Sequence, residues 1–276
     1  MEADSDSVRL ARLYDRLSRW ARFRNRLAPG SRSHSLSMHK VLIPSVDDLA
    51  FEAARLPPEP HVLDAGCGLG GTVFRWYEKA GGTYEGITLS PVQADMATVE
   101  ARRRGISSSC RFRCRSYDEP LAGSYDAVVA IESLIHSRDF SRTVGHLSRL
   151  LKPGGRLVMV DDVLADDGDS ASGSGLNLLK SSWHLTAVPS EKTVRMAFAL
   201  SSLTLVQETD LTRKIRWVKP RLVLLIVEFL RAFQHLAPVR WMGEVERAYR
   251  GGVVLQRMYR EGKTRYKLFV GEKGNR

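Results

Sequence analysis

Two stretches of this chain carry residue types at spacings that can do chemistry. Val62-Leu63-Asp64-Ala65-Gly66-Cys67-Gly68-Leu69-Gly70-Gly71 passes from a β-prone apolar run into a turn punctuated by Gly66, Gly68 and Gly70, after which Thr72-Val73-Phe74-Arg75-Trp76-Tyr77 resumes with helical spacing. Such a turn lays bare backbone against a ligand at a helix N-terminus, and a nucleoside is the ligand it suits. The second stretch, Ile131-Glu132-Ser133-Leu134-Ile135-His136-Ser137, follows an apolar strand pattern. A carboxylate there either stabilises charge developing in a dry pocket or accepts backbone hydrogen bonds and shapes that pocket. His136, four residues on, reads as a general base for a hydroxyl or amine, or as a cap or core residue.

The flanks of the glycine turn separate it from the dinucleotide turn of a dehydrogenase, which has no need of an acid before its first glycine. With Asp64 at the strand end, Asp-x-Gly-x-Gly-x-Gly resembles motif I of the class I S-adenosylmethionine-dependent methyltransferases. The resemblance implies that Asp64 and the backbone of Gly66, Gly68 and Gly70 lie along the methionine part of the cofactor. About twenty residues on, Gly86-Ile87-Thr88-Leu89-Ser90-Pro91-Val92-Gln93 is similar to the branch holding tocopherol, sterol, isoprenyl diphosphate and cyclopropane-fatty-acid methyltransferases. That likeness implies that Thr88, Leu89 and Gln93 share the ribose contacts usually made by an acid. It also puts Ser116 in the adenine slot, with Tyr117 and Asp118 as the other candidates, and Ile131 at the cofactor. In relatives that methylate alkenes, an acid at the place of Glu132 stabilises the cation or removes its proton. His39, in Ser37-Met38-His39-Lys40, falls where relatives cover the cofactor carboxylate. Glu85 reads as solvent-facing from strand alternation.

These residues must be positioned by alternating elements. Strands are expected at His61–Leu63, Thr83–Ile87, Cys110–Cys114, Asp126–Ile131 and Arg156–Asp161, with a sixth near Thr204–Thr209 and a seventh near Thr264–Val270. Ser90 before Pro91 signals one helix start, and Lys152-Pro153-Gly154-Gly155 a stop and turn after a helix over Asp139–Leu151. Strand and helix in alternation predict an α/β fold with a parallel doubly wound sheet and ligands at the carboxyl ends of its strands. With the resemblance, this becomes a Rossmann-like seven-stranded methyltransferase sheet over residues 56–276, with a helical N-terminal lid in 1–55. A substrate-covering insertion is expected at about 162–200 and a helical region at about 214–260.

Length and composition fit one main domain: 276 residues with 43% hydrophobic content can bury a full α/β core. No long uncharged apolar run and no signal-peptide pattern is present, so a cytoplasmic protein with reduced Cys67, Cys110 and Cys114 is expected. Cys110 and Cys114 share one short strand without a second pair, and Asp161, Asp162, Asp166, Asp167 and Asp169 lie in a Ser- and Gly-rich stretch read as a mobile solvated linker to Gly175. Neither is taken as a metal site.

Substrate choice falls to three added parts. In the first, Leu10, Leu13, Tyr14, Leu17, Trp20 and Ala21 form one face of a helix crowded elsewhere by Arg9, Arg12, Arg16, Arg19, Arg22 and Arg26. It reads as a lid with solvated arginines, or else as a peripheral membrane contact. The second is a helix over Leu176–Thr186 with Trp183 and His184. The third comprises an apolar helix over Leu222–Leu236 and another from Trp241–Met242 to Tyr259. The net charge of +11 raises nucleic acid as a partner, but it is spread along the chain, and the base-amine methyltransferase string Asn/Asp-Pro-Pro-aromatic is missing after the fourth strand. The expected function is methyl transfer to the carbon, oxygen or nitrogen of an apolar small molecule, such as a prenyl or terpenoid compound, polyketide, lipid or aromatic. An anionic diphosphate head would reconcile arginines with an apolar pocket. The alternatives are a nucleic-acid methyltransferase and a non-catalytic protein retaining the cofactor fold; a homo-oligomer is compatible with any of these.

Overall fold

A computed structural model describes residues 2–27, 40–42, 45–166, 174–217, 225, 228, 232 and 242–275. In chain order the elements are α1 (Glu2–Leu27), β1 (Lys40–Leu42), α2 (Val46–Ala54), β2 (His61–Ala65), α3 (Gly71–Ala80), β3 (Thr83–Thr88), α4 (Pro91–Arg103), β4 (Cys110–Cys114) and β5 (Tyr125–Ile131). After a 3₁₀ turn at Leu134–His136 come α5 (Phe140–Arg149), β6 (Leu151–Leu164), α6 (Ser174–Trp183), α7 (Glu191–Leu200), β7 (Leu203–Asp210), β8 (Ile215–Trp217), α8 (Met242–Arg260) and β9 (Thr264–Lys273).

The main sheet has seven strands in the order β4-β3-β2-β5-β6-β9-β7. The strands from the middle of the chain, β4-β3-β2-β5-β6, pair in parallel as the alternation of strand and helix predicts, and β9 runs antiparallel to both β6 and β7. The order reverses between β2 and its neighbours β3 and β5, and both pairings are parallel, so the β2 turn opens at the switch point where α/β sheets bind ligands.

Local sequence explains the element starts. Ser90 accepts a hydrogen bond from Gln93 N at 3.0 Å with Pro91 in the first turn, and Asp139 accepts from Arg142 N at 3.0 Å. Side chains alternate across β6: Val158 and Val160 pack with α2, α3 and α8 residues, and Leu157, Met159 and Val163 with Val144, Leu147 and Phe198 from α5 and α7. Lys152–Gly155 does form a turn-like irregularity, but inside β6: Tyr125 pairs with Leu151 and Ala127 with Arg156.

Three expectations need correction. Residues Asp161–Ala165 are not linker: β6 runs on to Leu164, paired with Thr264 of β9, and all five residues are buried. Asp166 is exposed but anchored rather than loose, since it accepts from Lys192 N and pairs with Arg195, both at 2.8 Å. Glu85 is half-buried, because Arg113 reaches it at 3.3 Å and Tyr125 donates to it at 3.3 Å. The remaining linker aspartates Asp167 and Asp169, His39 with Ser37 and Met38, and most of Leu222–Leu236 lie outside the described residues. A small antiparallel ribbon of β1 with β8, Lys40 against Trp217, was not foreseen.

Candidate cofactor and active site

The three glycines of the β2–α3 turn all have positive φ: Gly66 at +102°, Gly68 at +52° and Gly70 at +82°. Gly66 is a packing requirement, since a Cβ there would come within 2.3 Å of Ser133 Cβ. Gly68 is different: a Cβ would meet nothing within 4 Å, so the turn leaves open space at that point. Gly66 N and Cys67 N both donate to Ile87 O at 2.9 Å, which bolts the turn onto β3.

Asp64 stands at the end of β2, buried, and its Oδ2 has no hydrogen-bond partner among the described residues. Burial, with a smaller contribution from Asp47, pushes its carboxyl up to about 8. A buried carboxyl oxygen left without a partner costs free energy unless a ligand satisfies it, and a ligand ammonium would do so.

Thr88, Ser90 and Gln93 form one knot at the end of β3. Thr88 Oγ1 donates to Gln93 Oε1 at 2.7 Å, Ser90 N donates to Thr88 Oγ1 at 3.3 Å, and Gln93 Nε2 donates to Ser18 Oγ of α1 at 3.2 Å. Ser90 Oγ also donates to Asp15 of α1. Leu89 is half-buried beside them, its carbonyl facing Cys114 Sγ at 3.5 Å. The structure therefore gathers Thr88, Leu89 and Gln93, and it adds Asp15 and Ser18, which carried no signal in sequence.

The loop after β4 carries the three adenine candidates. Tyr117 Oη donates to Ser133 O at 2.6 Å, and Asp118 accepts from Thr143 Oγ1 at 2.6 Å and from Arg138 N at 3.3 Å. Both thus have structural employment; among the described residues, buried Ser116 accepts from Asp118 N at 3.1 Å.

Glu132 follows half-buried Ile131 at the carboxyl end of β5 with φ +52°, a conformation a non-glycine residue holds only where its surroundings enforce it. Its backbone N donates to Val160 O at 2.7 Å, and its Oε1 accepts from Tyr266 Oη of β9 at 2.8 Å. Next to it Ser133 Oγ donates to Ala65 O at 2.6 Å, which couples the Glu132 turn directly to the glycine turn. Tyr259 of α8 donates to Asp162, and Asp161 accepts from Ile135 N at 3.0 Å. Burial, then Glu132 and Asp162, hold the Tyr266 hydroxyl well above its ordinary value, so it stays a proton donor to the carboxylate.

His136 shares a 2.7 Å hydrogen bond through Nε2 with Tyr14 Oη of α1, the rings meeting edge to face at 5.5 Å. Its buried Nδ1 has no hydrogen-bond partner among the described residues. Burial, with repulsion from His184, pushes it down to about 4, so the ring is neutral at pH 7. Tyr14, Tyr259 and Tyr266 sit in apolar patterns that read as packing; the buried acids Asp161 and Asp162 at a strand end were the available signal.

Arg9, Arg12 and Arg16 of α1, with His184 and with Arg247 of α8, line one pocket of about 310 Å³. Arg9, Arg12 and Arg247 remain exposed there and Arg16 is half-buried, as a solvated arginine face requires. Among the described residues no group of three or more metal-ligating side chains gathers, and no helix is long and apolar enough to cross a membrane.

Together the reversal of strand order, the glycine turn and the acid at its rim define an α/β protein with the Rossmann-like fold of the methyltransferases. A methyltransferase domain family model matches residues 14–212, and the chain belongs to that family. The sequence is 36% identical over 142 residues to the probable chloroplastic tocopherol O-methyltransferase of Oryza sativa subsp. japonica, covering 49% of this chain and 39% of that protein. It is 32% identical over 125 residues to the geranyl diphosphate 2-C-methyltransferase of Saccharopolyspora erythraea, covering 45% and 44%. The matches thus span less than half the length of either relative.

Among solved structures, the [4+2]-cyclase SpnF superposes with a TM-score of 0.70 at 21% identity, covering 96% of this chain and 94% of that one. The geranyl diphosphate C-methyltransferase of Streptomyces coelicolor A3(2), solved with Mg2+, geranyl diphosphate and S-adenosyl-L-homocysteine, superposes with a TM-score of 0.66 at 22% identity, covering 82% and 78%. At those identities the likeness is one of fold. The cofactor of the family is S-adenosylmethionine, and the residues present fit it: Asp64 offers an unsatisfied buried carboxyl oxygen, and Gly68 faces open space.

Proposed function

We propose that this protein transfers the methyl group of S-adenosylmethionine to an apolar small molecule of specialised or lipid metabolism, with Asp64 and the Gly66–Gly70 turn holding the methionine part, Thr88, Leu89 and Gln93 the ribose side, and Ser116 the adenine. Bound there, the sulfonium supplies an electrophilic methyl group with its leaving group built in. The protein's own task is alignment, exclusion of water and management of charge on the acceptor.

The observation that carries the reading is Glu132: a carboxylate in a strained turn, fixed by Tyr266 and joined through Ser133 to the glycine turn. Oriented negative charge at that point favours an acceptor that becomes positive as the new bond forms. An alkene carbon does so most strongly: a C–C bond forms, the C–S bond breaks, and the resulting cation loses a proton. Glu132 stabilises that cation or takes the proton. Tyr266 donates to Glu132 and Tyr259 donates to Asp162, so aromatic and acidic side chains gather at this strand end.

A second reading is favoured by His136, whose neutral ring takes a proton from a hydroxyl or amine acceptor, with Tyr14 orienting it. Helix α1 serves as the lid in both readings, since Tyr14, Asp15 and Ser18 bind the reaction site and the β3 loop from one helix.

The test combines calorimetry with S-adenosylhomocysteine and product analysis with methyl-labelled S-adenosylmethionine over prenyl, sterol, polyketide, aromatic and RNA acceptors. Binding with label in an apolar small molecule supports the reading, label in RNA points to a nucleic-acid enzyme, and binding without any transfer to a protein that keeps the fold alone. Absence of nucleoside binding sinks it.

A further inference from the structure

The spacing of Arg9, Arg12 and Arg16 puts all three on one face of α1, beside the face whose Leu10, Leu13 and Leu17 are buried. Across the pocket stand Arg247 of α8 and His184, which follows α6. Cationic side chains brought from separate elements to one cavity raise the local concentration of anions and favour a polyanion seated among them. Guanidinium groups are the side chains that match phosphate oxygens with paired N–H donors. At about 310 Å³ the pocket lies at the small end of the range for small-molecule sites, roughly 300–1,000 Å³, which suits the head of a small molecule better than a polymer backbone.

Its position gives the head a consequence. Tyr14, between Arg12 and Arg16 on α1, hydrogen-bonds His136 at 2.7 Å, so the pocket borders the candidate active site. The helix that carries three of the arginines also presents Tyr14 to His136, Asp15 to Ser90 and Ser18 to Gln93. An anion bridging α1 to α8 therefore holds in place the helix that braces the cofactor loop.

We propose that Arg9, Arg12, Arg16, Arg247 and His184 form a subsite for the diphosphate head of an otherwise apolar substrate, and that filling it strengthens cofactor binding through α1. The inference rests on the small-molecule methyltransferase reading above and goes beyond it by coupling the two sites.

The experiment is calorimetric titration of S-adenosylhomocysteine into the full chain with and without inorganic diphosphate. Linked sites typically differ by about 5–150-fold, and an increase in affinity of about tenfold is expected here. Arg12→Glu and, on the other wall, Arg247→Ala each abolish the increase; using both guards against a local defect in α1. The inference is overturned if the nucleoside binds but diphosphate leaves its affinity unchanged, if sulfate at matched ionic strength does the same as diphosphate, or if both variants still respond. Arginine-dependent binding to phosphatidylglycerol vesicles with no response to soluble diphosphate also overturns it, assigning the arginines to a lipid surface. Failure of the nucleoside to bind at all strikes the methyltransferase reading itself and is thereby distinguished.

Discussion

Tyr266 holds Glu132 from across the sheet: its hydroxyl donates to Oε1 at 2.8 Å, although the two residues are 134 positions apart and belong to β9 and to the end of β5. The antiparallel pairing of β9 with β6, Tyr266 opposite Asp162, places that hydroxyl. An acid oriented in this way spends no reorganisation when charge appears on the acceptor, which is the condition for large electrostatic catalysis.

Glu132→Gln is therefore expected to lower kcat by about 10²–10³, the range typical of losing one preorganised stabilising group, with the affinity for S-adenosylhomocysteine unchanged. Tyr266→Phe lowers kcat about tenfold, in keeping with the roughly 1–3 kcal/mol cost of leaving a buried polar partner unsatisfied. Because Tyr266 acts through Glu132, the double variant is no slower than Glu132→Gln alone. Steady-state kinetics on the three variants checks this; a fully active Glu132→Gln would remove the charge-stabilising role.

His136→Gln separates the two acceptor readings. With an alkene acceptor the variant keeps most of its activity, whereas with a hydroxyl or amine acceptor it loses about 10²–10⁴ in kcat, the usual worth of a general base.

The same histidine makes stability depend on pH. Its folded value, about 4, lies below the ordinary 6.5, so between those values the unfolded chain binds the proton and the folded chain does not. Stability from this group is complete above about pH 6.5 and is lost as the pH falls towards 4. Urea denaturation across that range shows the loss, and His136→Gln flattens it.

Asp64 behaves oppositely. With its folded value raised to about 8, the free protein loses stability from this group as the pH rises from the ordinary carboxylate range towards 8. Binding of a cationic nucleoside favours the ionised carboxylate, so it releases a proton below pH 8, and affinity rises with pH from 6 towards 8. Calorimetry in buffers of different ionisation enthalpy detects the proton. Asp64→Asn abolishes its release and weakens binding by about 10–100-fold, equivalent to a charged hydrogen bond of roughly 1.5–3 kcal/mol.

Two glycines of the turn part company on substitution. Gly66→Ala drives a methyl into Ser133 at 2.3 Å and is expected to destabilise the fold, read as a lowered Tm. Gly68→Ala meets open space and costs only the left-handed backbone strain of about 1–2 kcal/mol, but it fills the cofactor's side of the turn. Its folded protein survives with strongly reduced nucleoside affinity.

Much was legible in the sequence because it is written locally. The strand–turn–helix of Asp64–Tyr77, the Ser90–Pro91 helix start and the seven strand positions depend on neighbouring residues, and all appear where periodicity and turn chemistry put them. Long-range pairing escaped that reading. Asp161 and Asp162 look like linker beside Ser and Gly until β9 extends β6 and Tyr259 meets Asp162. The arginine stripe of Arg9, Arg12 and Arg16 is legible on α1, but not that α8 would bring Arg247 to the same pocket. Periodicity shows which face of an element is apolar but carries no information about which distant element will cover it. The tertiary structure alone decided that a tyrosine from β9 would orient Glu132, that one from α1 would meet His136, and that arginines from two helices would share a pocket.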